Sequence, residues 1–439
     1  MADEVAVKNR NIVSVSLGKI TIVYAITLSI MIAVRDLGGI NMSKYLFVVV
    51  CTGFFMYARK SEMISMIAFT APLLYGLPGN YIIPIILAIY FIKSRNINSK
   101  QFVLCVFIAF MEIIASMFYD SFSIPGIIGY MTNLMLFFCL IYDWTEYDYI
   151  KTLNYFVCGV VLTSLIIVLS TILKSPTWLQ DIANGYFRFG VVEHVNEDAL
   201  NLTLNANALA YYSISGISCI AVLLKCSVYN KLLLIAEMIF LALTGVMTLS
   251  RTWMIVGSLL LVLYIFSSNR SMKDVAKALL IIGSIAIVAF VVMGQLPEVY
   301  EGLIARFNRA DTATANGRFD ITEEYIEKFN SDLRIMLFGT GVTEYRSVMG
   351  ITKSLHNSLV QILVCYGIIG GMVFMFGWLS NVIKMIGRVK LLYWIPFICI
   401  FAYSITAQIV NPHNLIYPHM MAIFAIRLGL DAKSERGAL

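Results

Sequence analysis

The chain has 439 residues, of which 59% are hydrophobic and 13% charged, with a formal net charge of +6 and a mean hydropathy of +0.82. An average soluble domain carries about 25% charged residues, so apolar runs this long and frequent exclude a water-soluble globule and point to a protein that crosses a bilayer many times. No basic groove with interleaved aromatics is present, which excludes the usual nucleic-acid footprint.

In chain order, the first apolar run, Ile12 to Val34, follows a short charged N-terminus and lacks a small-residue cleavage site, so it is expected to stay as an anchor. The next runs, Tyr45 to Tyr57, Met63 to Tyr75 and Tyr81 to Ile92, are short for a bilayer and must tilt or be partly buried. Pro72, Pro78 and Pro84 fall around the last two. A broken or re-entrant pair is compatible with that pattern, provided other helices cover the freed backbone groups. Longer runs follow at Phe102 to Met117, Leu153 to Leu173, Leu232 to Leu249, Leu279 to Met293 and Ile395 to Val410.

The whole pattern reads as one polytopic all-α membrane domain over residues 1–439, with about fourteen spans. When the spans alternate, Lys8 and Arg10, Arg59 and Lys60, Lys93 and Arg95, Lys225 and Lys231, Arg270, Lys273 and Lys277, Lys384 and Arg388, and Lys433 and Arg436 fall on one side. Both termini are then expected in the cytoplasm, and topology accounts for the net charge. The eight cysteines lie in or beside spans, so neither a disulfide nor a thiolate metal site is expected.

Two loops on the opposite side carry most of the extramembrane polar mass, 174–207 and 295–355. The second contains a helix candidate, Arg318 to Phe329, with Phe319, Ile326 and Phe329 at helical spacing for packing on the membrane or the bundle. Gly339-Thr340-Gly341 supplies a turn that needs little side-chain room.

These loops and their helix junctions hold Arg188, Arg251 beside Ser250, Arg306 and Arg318. An interfacial arginine usually snorkels or caps a carbonyl. Several of them around one loop-to-helix histidine suit an anion better, because guanidinium binds phosphate bidentately and keeps its charge. That histidine is His356, bracketed by Ser354, Asn357, Ser358 and Gln361; a neutral imidazole there can take a proton from a sugar hydroxyl. His194, His413 and His419 are weaker candidates. Lys19, Glu112 and Glu237 read as charges inside spans, Glu237 as a structural partner and Glu112 as a support to the site. Neither loop offers a cation cage; Asn196-Glu197-Asp198 reads as a solvated turn.

At these residues the chain resembles the O-antigen polymerases and O-antigen ligases, the Wzy and WaaL proteins. The matching pieces are Arg188-Phe189-Gly190 with Asn205 to Ala210 and its Asn207, then Ser250-Arg251-Thr252, Gly317-Arg318, Leu337 to Gly341, and His356-Asn357 with Gly367 to Gly371. They span residues 185 to 375; the flanks match in hydropathy alone.

The resemblance implies a GT-C-like glycosyltransferase of the bacterial inner membrane, working without a metal or cofactor on the periplasmic face. It implies an undecaprenyl diphosphate-linked glycan as donor, a second lipid-linked unit as acceptor and a chain-length regulator as partner. By position, Arg188 and Arg251 hold the diphosphate and His356 assists the acceptor hydroxyl. Arg306, eleven positions before Gly317 with ten residues between, resembles the loop spacing of the polymerases, whereas Arg188 departs from it, with Ala199 eleven positions on. Polymerase is the favoured activity. Ligation to lipid A-core is the runner-up, and a lipid-linked oligosaccharide flippase is the alternative of another class.

Overall fold

A computed structural model of the chain describes residues 19–94, 99–118, 124–143, 148–175, 177–178, 180, 202, 204–268, 276, 283, 294, 297–307, 318–342, 345–406 and 416–437. Every regular element among them is helical. The N-terminal half holds α1 (Lys19–Asp36), α2 (Lys44–Tyr57), α3 (Lys60–Thr70), α4 (Gly79–Lys93), α5 (Ser99–Phe118), α6 (Ile124–Tyr142) and α7 (Tyr149–Lys174). Next come α8 (Ala206–Cys226), α9 (Lys231–Met247) and α10 (Arg251–Ser268). Four short helices follow: α11 (Pro297–Phe307), α12 (Arg318–Ser331), α13 (Leu333–Phe338) and α14 (Tyr345–Met349). The described chain closes with α15 (Ser358–Ile383), α16 (Leu391–Ser404) and α17 (Tyr417–Gly437).

By length and composition α7, α8 and α15 can each cross a membrane, and α2, α4, α10 and α16 are shorter apolar helices. Helix α8 is the hub, packed against α7, α9, α10, α16 and α17. Its side chains are buried from Ala206 to Leu223 except at Asn207, and many are Ala, Ser or Gly. Lipid tails are as apolar as leucine, so helices associate in a membrane through close packing, which small residues allow. The same rule governs α3 on α7, where a Cβ on Gly159 would lie 2.3 Å from the Phe69 carbonyl oxygen.

The broken segment anticipated around Pro72 is a 3-10 turn, Ala71–Gly76, closing α3. Side chains cover its carbonyls: the Tyr212 hydroxyl donates to Ala71 O at 3.3 Å, and Arg35 Nη1 donates to Gly76 O at 2.5 Å. A second break lies inside α15, at Gly367 with φ 63° and ψ −172°. There the Gly339-Thr340-Gly341 turn plugs the gap. Thr340 N donates to Val364 O at 3.0 Å and Gly341 N to Cys365 O at 2.9 Å, taking up carbonyls the break would orphan. The fit admits no side chain, since a Cβ on Gly339 or on Gly367 would sit 2.3 Å from the facing backbone.

On α12 the buried residues are Tyr325 and Phe329, whereas Phe319 is 67% and Ile326 42% exposed. Tyr325 and Phe329 are four apart, on a helix that packs on α15 and α13, and Phe319 and Ile326 share the flanking stripe about a quarter turn away. Lys19 is exposed and is the first described residue of α1.

Candidate active site

The turn between α9 and α10 builds one wall. Leu249 is buried there with a left-handed φ of 50°, a conformation that costs a side chain about 1–2 kcal/mol. The reversal it makes leads straight from α9 into Ser250 and Arg251. Trp253 locks the first turn of α10. Its indole donates to Ser213 Oγ at 3.1 Å and lies so close to Gly245 that a Cβ would meet the ring nitrogen at 2.1 Å. Arg251 is thereby held at a helix N-terminus, where the dipole disfavours a cation by about 0.3–1 kcal/mol and favours an anion.

Tyr403, near the end of α16, joins this wall to α8. Its hydroxyl donates to the Asn207 carbonyl at 3.1 Å and accepts from Ser250 Oγ at 3.2 Å. One turn on, the Thr406 hydroxyl contacts Thr252 Oγ1 at 3.1 Å. The Thr406 carbonyl takes Nη1 of Arg318, the first residue of α12, at 3.3 Å. Burial pulls Arg318 below its usual range and the Arg251 charge pulls it further, so the two guanidinium groups sense one another.

His356 approaches from α15. Asn357 caps that helix through its side-chain oxygen, which accepts from Leu359 N at 3.1 Å and Val360 N at 3.2 Å, and this sets the histidine just outside the first turn. Tyr325 of α12 donates to Lys353 O at 2.9 Å, tying the approach segment to the helix that carries Arg318. Burial first and the Arg318 charge second hold the His356 imidazole down to about 4. The ring is therefore neutral at physiological pH, with a lone pair available to a proton.

The structure thus brings Ser250, Arg251, Arg318, His356 and the backbone of Asn207 to one end of the bundle. Asn207 serves through its carbonyl and Asn357 as a helix cap. Arg188, His194 and His413 lie outside the described residues, as does the side chain of Arg306. His419 is packed in the core. It is fully buried, edge-on to Trp378 at 4.7 Å, and paired with Ser404 at 2.9 Å. Glu237 is half-buried on the part of α9 farther from Arg251, and its Oε2 makes no hydrogen bond among the described residues.

Residues 236–375 match the family model Wzy_C, described as O-antigen ligase. The match supports the O-antigen ligase and polymerase superfamily, and does not favour one activity over the other. No curated protein and no solved structure shows significant similarity to the chain. The matched stretch contains Ser250, Arg251, Arg318, His356 and both glycine turns of the α15 plug. Outside it lie Asn207, Tyr403, Thr406 and Glu112. Tyr403 and Thr406 are residues that sequence reasoning missed; they sit in an apolar helix end with no local signal, and only the packing of α16 on α8 and α10 reveals them.

Proposed function

We propose that this chain is a surface-glycan polymerase, an inverting, metal-independent glycosyltransferase of the bacterial inner membrane. It transfers a glycan from undecaprenyl diphosphate to the sugar end of another lipid-linked repeat unit. The observation that carries this reading is a neutral, mostly buried His356 beside Arg318 and the neighbouring Arg251. In this reading the imidazole takes the proton of the acceptor hydroxyl, and that oxygen attacks the anomeric carbon. The bond to the diphosphate breaks with its electron pair leaving on phosphate oxygen, where Arg251 and Arg318 neutralise the growing charge. Diphosphate is a good leaving group, so placement and charge neutralisation are what the protein must supply.

About fourteen spans in a GT-C-like arrangement, both termini in the cytoplasm and loops 174–207 and 295–355 in the periplasm complete the proposal. Arg188 and Arg306 join the diphosphate ligands in it, and a chain-length regulator is the expected protein partner.

Ligation to lipid A-core is the second reading, the activity named in the description of the matching family model. The test is to incubate purified protein with lipid-linked repeat units alone, in excess EDTA, and resolve products by size. A ladder of longer lipid-linked glycans is expected. Transfer that begins only when lipid A-core is added would replace polymerase by ligase, and strict dependence on a divalent cation would reveal a carboxylate site.

A further inference from the structure

Glu112 lies on α5, outside the matched stretch, and is 1% exposed. A carboxylate enclosed in a helix bundle is costly unless it is hydrogen-bonded. Its backbone partner is Val342, whose N donates to Oε1 at 3.2 Å and Oε2 at 3.4 Å, and the Tyr366 phenol of α15 lies against it. Val342 directly follows the Gly339-Thr340-Gly341 turn that plugs the break in α15. Three residues later Tyr345 reaches forward, its phenol oxygen hydrogen-bonded to the Leu355 backbone and the Ser354 side chain. Leu355 is fully buried and precedes His356.

Glu112 thus holds the chain at Val342, and three residues along the same chain Tyr345 holds the residue beside the imidazole. On the other side of the same loop, Thr340 and Gly341 grip Val364 and Cys365, at the far end of the half-helix that His356 introduces. The loop is held where it enters the bundle, and the histidine is held at both ends of its segment. From this geometry we infer that Glu112 is a positioning residue for His356, acting through Val342 and Tyr345 to place the imidazole against the acceptor hydroxyl. The inference rests on the reading of His356 as the base. Glu112 itself touches neither substrate nor the arginines, so its loss should change turnover and leave donor binding intact.

The experiment compares Glu112→Gln, which keeps an oxygen acceptor for Val342 N–H, with Glu112→Leu, which keeps bulk and removes the acceptor. Glycan transfer and backbone amide exchange are measured on both purified proteins. We expect Glu112→Gln within about threefold of the parent, and Glu112→Leu with kcat lower by about 30–100-fold and the donor KM within about twofold. Exchange in Glu112→Leu should quicken across 342–356 while α8 and α16 stay unchanged. Parental kcat in Glu112→Leu, equal losses in both variants, or exchange rising throughout the bundle would overturn the inference.

If Glu112→Leu does not insert, Gly341→Ala carries the test. A Cβ there lies 3.1 Å from Glu112 Oε2 at a φ of +74°, so it disturbs the same contact from the loop side and must show the same kcat loss with the same local exchange. Parental kcat in Gly341→Ala would overturn the inference equally. Parental transfer in His356→Ala would remove the base assignment and this role together; quickened exchange across 342–356 would then show Glu112 holding the loop for structure alone.

Discussion

Arginines in this protein occupy two kinds of site. Arg427 is 2% exposed and surrounded by acceptors: Nη1 donates to Asp143 O at 3.2 Å, and Nη2 reaches Asn381 Oδ1 and Ile141 O. Nearby, Lys60 pairs with Asp143 at 2.5 Å, whose carboxylate also accepts from Tyr90 at 2.6 Å. Arg35 is equally settled, with Nε and Nη2 on the two Asp36 oxygens at 2.6 and 2.8 Å. Arg318 is different. It donates to one carbonyl, makes no ion pair among the described residues, and has Arg251 as its charged neighbour. A buried cation matched by carboxylate and carbonyl belongs to the architecture, whereas two cations held near one another create a local positive charge that an anionic ligand can complete.

The largest contrast should come from deleting one arginine of each kind. Arg35→Ala strands the Asp36 carboxylate, 3% exposed, and should cost about 3–5 kcal/mol of stability, read as a lower Tm in detergent or loss of inserted protein. Arg318→Ala should keep stability within about 1 kcal/mol of the parent and lower transfer by about 10²–10³-fold. A stable Arg35→Ala, or an Arg318→Ala that melts, would erase the distinction.

A smaller effect tests shape against charge. Arg251→Lys preserves the charge but loses the planar fork, so kcat/KM should fall at least about tenfold, equivalent to about 1.4 kcal/mol. Lys60→Arg at the settled site should leave transfer unaltered. Full activity in Arg251→Lys would make that arginine a snorkelling residue.

The mildest expected change is in pH dependence. The folded His356 lies at about 4, below its ordinary 6.5, and its neutral form is the proposed base. The acid limb of kcat/KM should therefore sit near 4, and stability should fall as pH drops from about 6.5 to about 4, because the unfolded chain binds the proton first. Arg318→Gln removes the lesser of the two depressing causes, so the limb should move upward yet stay below 6.5. A limb unmoved in that variant would separate His356 from Arg318 electrostatically.

Much of this site was legible in the residues themselves, because the relevant physics is local. Asn357 ahead of an apolar run marks a helix start, Gly339 and Gly341 mark a turn with φ above zero, and Ser250-Arg251 stands between two apolar stretches. Which α12 residues pack on protein was not legible, since Phe319 and Ile326 are as apolar as Phe329 and only the neighbouring helices decide which of them are covered.

By itself the sequence determined that the chain builds apolar helices, that polar loop residues collect at their junctions, and that His356 and Arg251 stand at two of those junctions. Hydropathy, capping and glycine φ act over a few residues and need no partner. Tertiary structure alone decided that Arg318 comes beside Arg251, that Tyr403 and Thr406 join them, and that Glu112, 230 positions before Val342, holds the loop leading to His356. Those contacts depend on how helices far apart in the chain cross and on small residues such as Gly159 and Gly245 letting them approach, and no short stretch of sequence encodes the crossing.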